Sequence, residues 1–563
     1  MADNNILKIG KLYYQDISKP DKDKTAKFSY FKIDDHVQFN TISQDKVRTY
    51  KKCFNKCVKY FLNNSGNAGK VSFKDNVVQQ GQKLSVRTAY HSEENEGRIH
   101  LGNGGASTSE THVRSAELML YHAIINKDKE PFIAYYNYSR LYLMPGDGWA
   151  SKQLPEFPKN KYYAQFNRFM HWAYQVTPGN KPEKNYVFAN DRKYAPSKYV
   201  QNNIMNINNT TYKMYDEAGI HFAHPCIALG ADGYPDFNNK WDGANPSFKF
   251  GVATDADGWY VVLLDKATKY GVGNFSEDIT AYKKDFEFIM KSQKYPGAIY
   301  FGSVWGGNIK ENWGGNWWLG KELYLGYQAP TLNYIFQQPE LVKNVVALGK
   351  DAQDEFFKQT GIQGPLMPLY TEEKDMSKFD WLGYDNNTHW LPFQARYIDN
   401  LAETFERAQG DTELQKEARK ILDTYFKWLA ENTEVTQEGQ LLLPYAIYTP
   451  AIHKQGASHP AVKFYNDFVK VYGRQPKLGE VIRLRFDPSF YALTAQALIK
   501  MAKVTKEEKY LKFGEQILNT LVKKQEKSGG FIAIDNNEPL LGLHYGFMNA
   551  EAGVAFGEYC LLK

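Results

Sequence analysis

The sequence predicts an all-α fold, a closed toroid of helix hairpins carrying long loop insertions. Two observations lead there. Hairpins with one wide apolar face recur along the chain, and the loops between them are long, aromatic, Gly-rich and unequal in length.

The first such unit runs from Leu118 to Ile125, turns at Asn126-Lys127-Asp128, and continues from Phe132 to Leu143. A second begins at Phe393 and extends to Ala408, with Ile398, Leu401 and Phe405 at helical spacing. Gln409-Gly410-Asp411 breaks it, and a partner helix follows from about Thr412 to Glu431, with Leu414, Ala418, Ile421, Leu422, Tyr425, Phe426 and Leu429 on one broad face. A third spans Phe490 to Ala502 with Leu493, Ala497 and Leu498. It turns at Lys503-Val504-Thr505 into Tyr510, Leu511, Phe513, Ile517, Leu518 and Leu521. A hairpin of this kind cannot bury its apolar face alone and must stack on neighbours. An open solenoid and a closed ring both satisfy that demand; unequal loops favour the ring, since solenoid repeats are more uniform. Residues 1–44 read as a small irregular N-terminal extension and 45–563 as the toroid. An insertion at about 144–250 is dense in Asn, Tyr, Pro and Lys. Its Tyr162, Tyr163, Phe166, Phe169, Trp172 and Tyr174 predict a packed insertion rather than a disordered linker.

Composition excludes several classes. Apolar residues make up 43% and charged residues 23% of the 563, as in ordinary globular proteins. A formal charge of +6, with basic residues scattered rather than striped, argues against nucleic acid as a partner. No run of 18 apolar residues predicts a membrane span. Residues 1–30 hold no apolar h-region, so no signal peptide is visible; a mature form of an exported protein would be secreted or periplasmic. Four Cys form neither a disulfide scaffold nor a zinc pattern. Cys53 and Cys57 fall on one helix face and read as buried thiols. Neither a metal nor a cofactor is expected, and a monomer is.

The informative figure is the aromatic content of 15%. Most of these rings belong in a core. Trp and Tyr beside Gly and Asn are different, because flat rings stack on sugar faces while amides bind hydroxyls. Trp305-Gly306-Gly307-Asn308 and Trp313-Gly314-Gly315-Asn316-Trp317-Trp318 are such clusters.

Among 63 acidic residues, three groups stand at helix starts beside small, amide or aromatic residues. The first is Gly104-Gly105-Ala106-Ser107-Thr108-Ser109-Glu110-Thr111, where Glu110 also suits a capping box with Ser107 or Thr108. The second, Ala253-Thr254-Asp255-Ala256-Asp257-Gly258-Trp259-Tyr260, lacks the later ligands of a calcium loop. The third is Trp381-Leu382-Gly383-Tyr384-Asp385-Asn386-Asn387-Thr388-His389-Trp390. Asp255 and Asp385 could equally be plain helix caps. In a closed ring, however, these starts would gather around one mouth.

The order Ser109-Glu110, Ala253-Thr254-Asp255-Ala256-Asp257, Tyr384-Asp385 resembles the motif series of glycoside hydrolase family 8, the (α/α)6-toroid endoglucanases, chitosanases and xylanases. Asn126-Lys127-Asp128-Lys129-Glu130-Pro131-Phe132 and Tyr327-Gln328-Ala329-Pro330 are similar to two further family segments. The resemblance implies a six-hairpin toroid that cleaves a polysaccharide or oligosaccharide, of the β-1,4-linked glucan, xylan or chitosan type, by inversion. It implies Glu110 as general acid, Asp385 as base, and Asp255 as the carboxylate that holds the central sugar. Thr111 stands where the family has Gly, and Asn387, Thr388 and His389 stand near where it has Arg. Glu117, seven residues on and on the same helix face, is the reserve acid.

Inverting hydrolysis needs two carboxyls about 6.5–9.5 Å apart, so that a water fits between sugar and base. The acid must keep its proton near neutral pH, which burial and neighbouring carboxylates favour. Tyr384, Trp259, Asp257, Trp317, Trp318, Trp390 and His389 are the candidate substrate-binding residues. Two alternatives remain. A toroid polysaccharide lyase would draw on His224 (in His221-Phe222-Ala223-His224), His389 or Tyr384 as base. A non-catalytic carbohydrate-binding toroid would bind without turnover.

Overall fold

The computed structural model describes residues 25–27, 36–63, 72–79, 81–93, 106–144, 168–170, 173–175, 200–201, 204–207, 210–213, 240–241, 245–246, 253–300, 302–304, 317–319, 322–372, 375–379, 391–454, 460–534 and 542–562. The chain is mainly helical. Among the described residues the helices are α1 Gln44–Leu62, α2 Ser109–Asn126, α3 Glu130–Tyr138, α4 Thr254–Lys269, α5 Ser276–Phe286, α6 Thr331–Ile335, α7 Val342–Thr360, α8 Pro392–Arg407, α9 Thr412–Glu431, α10 Pro460–Tyr472, α11 Pro488–Thr505, α12 Glu508–Lys524 and α13 Gly546–Cys560.

Six of these form a closed inner ring. α2 packs on α4, α4 on α6, α6 on α8, α8 on α11, α11 on α13, and α13 returns to α2. Each inner helix carries an outer partner: α3 on α2, α5 on α4, α7 on α6, α9 on α8, α12 on α11. The sixth pair joins the two ends of the chain, because α13 packs on α1. This is an (α/α)6 toroid. α10 stands outside it, packed on the strand Val481–Leu484, which pairs with Pro444–Ile447.

Local chemistry sets the helix boundaries. Asp411 caps α9, its carboxylate accepting from Leu414 N at 3.1 Å, and Asp487 caps α11 through Phe490 N at 2.8 Å. Pro392 and Pro488 occupy first helical positions, where a missing N–H costs nothing. Lys127 (φ 63°) and Lys506 (φ 59°) end α2 and α11 in the left-handed conformation, so each hairpin turns within a few residues.

Burial separates the layers. α9 buries one face, as an outer amphipathic helix does. α11 is buried from Pro488 to Ala502 and α13 from Gly546 to Tyr559, the mark of a helix enclosed on all sides. Close approach there needs small residues: a Cβ on Gly553 would lie 2.6 Å from Leu118 and 3.0 Å from Cys57. Cys53 and Cys57 are buried on α1 as free thiols, and burial pushes both pKa values up.

The ring encloses charge as well as carbon. Away from the helix starts, Lys500 meets Asp399 (2.7 Å), Arg407 meets Asp265 (2.6 Å) and Glu403 (2.9 Å), and Lys266 meets Glu558 (3.4 Å) and the Tyr121 hydroxyl (2.9 Å). These groups are almost wholly buried yet mutually paired, the condition under which buried charge is tolerated.

The predicted hairpins agree closely with α8–α9 and α11–α12. The first is shorter in its second arm than expected: α3 ends at Tyr138 and a π-helical turn carries Ser139–Leu143. In the region of the insertion the described residues form short strands. One of them, Ala173–Gln175, pairs antiparallel with Ala106–Thr108 immediately before α2.

Candidate active site

Thr108 caps α2, its hydroxyl accepting from Thr111 N at 3.3 Å. Glu110 therefore sits one position short of the capping-box site, which Thr111 occupies. Freed from capping, its carboxylate pairs with Nη2 of Arg396, one turn into α8. α4 follows Ala253, which supplies no side-chain cap. Asp255 accepts from Ala256 N at 2.9 Å, and its other oxygen lies 3.5 Å from Arg396 Nη1. One guanidinium, 5% exposed, thus faces carboxylates from the starts of two inner helices. Burial pushes Asp255 up to about 6; Arg396 opposes the rise and Glu110 adds to it.

Behind this pair lies a second guanidinium. Arg114, one turn on from Glu110, bonds Glu117 at 2.9 Å and places Nε 3.2 Å from Glu551 of α13. Glu117 is therefore engaged with Arg114, while Glu110 is the carboxylate set beside Asp255. Trp259 packs with both guanidiniums, Arg114 at 3.9 Å and Arg396 at 5.1 Å from its ring centroid, contacts of cation–π type.

Two of the candidate substrate-binding residues, Trp259 and Asp257, lie beneath the charges. Trp259, a candidate for sugar stacking, is 4% exposed and its ring packs against the two arginines. It serves the site as packing beneath the charges. Asp257, a candidate substrate-binding residue, is fully buried and accepts from Met170 N (2.9 Å) and the Tyr282 hydroxyl (3.1 Å). It pins residues 168–170 to the ring, together with Asp285, which accepts from Arg168 N at 2.6 Å, and Asp278, which accepts from Arg168 Nε at 2.6 Å. Burial holds the Asp257 pKa well above the usual carboxylate range.

Trp317 and Trp318 lie in the strand Trp317–Leu319, antiparallel to Gly302–Val304. Tyr384, Asp385, His389 and Trp390, with His221 and His224, lie outside the described residues.

Sequence reasoning missed Arg396, Arg114 and Glu551, and it treated Tyr327 only as part of a family segment. Tyr327, half-buried just before α6, lies in the field of Asp255, Arg396 and Glu110, and its ring stands 5.6 Å from that of Tyr324. An arginine within the apolar opening turn of a predicted buried helix was the available signal for Arg396. Among the described residues no group of three or more His, Cys, Asp or Glu is placed to hold a metal ion, and no helix is long and apolar enough to cross a membrane.

No family model and no curated protein matches the chain. Among solved structures it is similar to a cold-adapted family 8 xylanase in complex with substrate, at 12% identity over 94% of this chain and 98% of that one, TM-score 0.45. It is also similar to a β-1,3-1,4-glucanase from Paenibacillus sp. X4, at 10% identity over 95% and 96%, TM-score 0.41. A D-mannose isomerase matches at 10% identity over 93% and 99%, TM-score 0.48.

Proposed function

We propose that this chain is a glycoside hydrolase that cleaves a polysaccharide of the β-1,4-linked glucan, xylan or chitosan type with inversion. In this reading Glu110 is the general acid, Asp385 the base, and Asp255 the carboxylate that binds hydroxyls of the central sugar. One observation carries it: two carboxylates from separate helix starts share Arg396 at one end of the helical ring. Helix starts favour anions there through their unpaired N–H groups, and Arg396 keeps the two carboxylates from repelling. Tyr324 and Tyr327 supply ring faces beside the same charges. A sugar hydroxyl entering between Glu110 and Asp255 would compete for the guanidinium, and Glu110, released from that pair, would take up a proton from solvent and donate it to the leaving oxygen.

A lyase would need a cation left for a uronate carboxylate. The two guanidiniums at this site are committed to Glu110, Asp255, Glu117 and Glu551, which favours the hydrolase.

The test is a reducing-sugar screen over glucan, xylan, chitosan, peptidoglycan and acidic polymers, with the product anomer read by NMR. Glu110→Gln and Asp385→Asn should each lose at least 100-fold in kcat, roughly the contribution of one positioned acid or base, while the fold persists. Full activity in either variant removes that residue from its role, and Glu117→Gln in parallel decides between the two glutamates. Unsaturated products would show a lyase, and binding without new reducing ends a non-catalytic toroid.

A further inference from the structure

Glu551 is the carboxylate that the proposed mechanism leaves without a task. It lies on the inner helix α13, is 0% exposed, and neither of its oxygens accepts a hydrogen bond of good geometry from the described residues. Its close charged neighbour is Arg114 Nε at 3.2 Å. A lone buried carboxylate is expensive unless it is paired or holds a proton, so its placement beside two arginines is a built feature.

The groups around it come from several helices. α2 contributes Arg114, with Glu110 and Glu117 on the same helix; α8 contributes Arg396; α11 contributes Ser489, two residues after the cap Asp487. α4 brings Asp255 to the other side of Arg396. On the remaining sides, α1 presents Cys57 to Gly553, and α12 presents Glu515 to the Tyr559 hydroxyl at 2.6 Å, both further along α13. Glu110, Glu117, Asp255 and Glu551 thus face the two guanidiniums Arg114 and Arg396; beyond them Asp399, paired with Lys500, also acts on Arg114, and Asp487, beside Arg485, on Arg396. Such a set cannot be fully ionised without an excess of buried negative charge.

We propose that Glu551 is a positioning residue of the site: its carboxylate, 3.2 Å from Arg114 Nε, sets how Arg114 and Arg396 divide themselves among the carboxylates that include Glu110. This role rests on Glu110 being the acid. Burial pushes the Glu551 pKa up to about 7, against the pull of Arg114 and Arg396, so it changes charge within the working range of an enzyme. Once ionised, it adds a negative charge behind Glu110, and a negative neighbour makes a carboxyl keep its proton to higher pH.

The experiment compares wild type, Glu551→Gln, Glu551→Met and Glu551→Asp through kcat against pH and through Tm against pH. The two charge-free variants should move the alkaline limb of kcat down by about one pH unit, the scale of a single nearby charge. Glu551→Asp should return it toward wild type. For stability, a carboxyl whose folded pKa lies above its unfolded value loses stabilisation as pH rises through the folded value. The Tm of each charge-free variant relative to wild type should therefore climb between pH 5 and pH 8. A limb that stays in place in folded charge-free variants overturns the proposal, as does a Tm difference constant with pH. If wild type hydrolyses no glycan, the acid assignment and this catalytic role fall together. The Tm series then still decides whether Glu551 titrates inside the ring.

Discussion

Arg396→Met removes the guanidinium while keeping most of the apolar stem, and so isolates what the charge does. Arg396 is 5% exposed, Asp255 5% and Glu110 17%, so water replaces little of the lost partner. Breaking a buried pair by deleting one member costs about 3–5 kcal/mol, because the other charge stays behind uncompensated. Unfolding entropy near 2.1 cal/mol/K per residue over 563 residues is about 1.2 kcal/mol/K, so the expected fall in Tm is about 3–4 °C. The cost must also depend on pH. Burial already holds Asp255 near 6, and Arg396 is the largest influence opposing that rise. Without it the carboxyl moves further up, so the penalty is full above that pKa and fades as the pH drops and Asp255 takes a proton. Scanning calorimetry at pH 5 and pH 8 reads both effects. An equal loss at the two pH values would mean that Arg396 acts through packing against Trp259 and Phe393, and the electrostatic account would be wrong.

Two further outcomes follow from the burial of Trp259 and Asp257. Trp259→Leu should cost less than the roughly 3–5 kcal/mol of a truncation to Ala, about 2–3 kcal/mol, seen as lower Tm, with oligosaccharide affinity by calorimetry held within about threefold, about 0.7 kcal/mol. A tenfold loss of affinity in a folded Trp259→Leu protein would restore the ring as a sugar platform. Asp257→Ala should leave Met170 N and the Tyr282 hydroxyl without their acceptor, speeding amide exchange at Met170 at least tenfold for a loss of about 1.4 kcal/mol or more. Unchanged exchange there would show that Asp257 does not anchor residues 168–170.

The outer elements and their turns were legible locally. α9 and α12 alternate buried and exposed positions at helical period, and Gln409-Gly410-Asp411 marks its turn by a residue able to adopt positive φ (Gly410, 98°) followed by a capping Asp. α13 escaped notice for the opposite reason: enclosed on every side, its run of Gly, Ala and Phe has no polar face to reveal a period. Ring closure through α1 and α13 joins the two ends of the chain, and no local pattern encodes it. The same holds within the site. Glu110 and Asp255 could be singled out from their helix-start contexts, because small residues and caps are written beside them. That Glu110 pairs with Arg396, that Trp259 is covered, that Asp257 anchors residues 168–170, and that Glu551 stands behind Arg114 depend on which helices touch. Those contacts exist only once the ring has closed, when distant charges share one low-dielectric interior and must pair or hold protons.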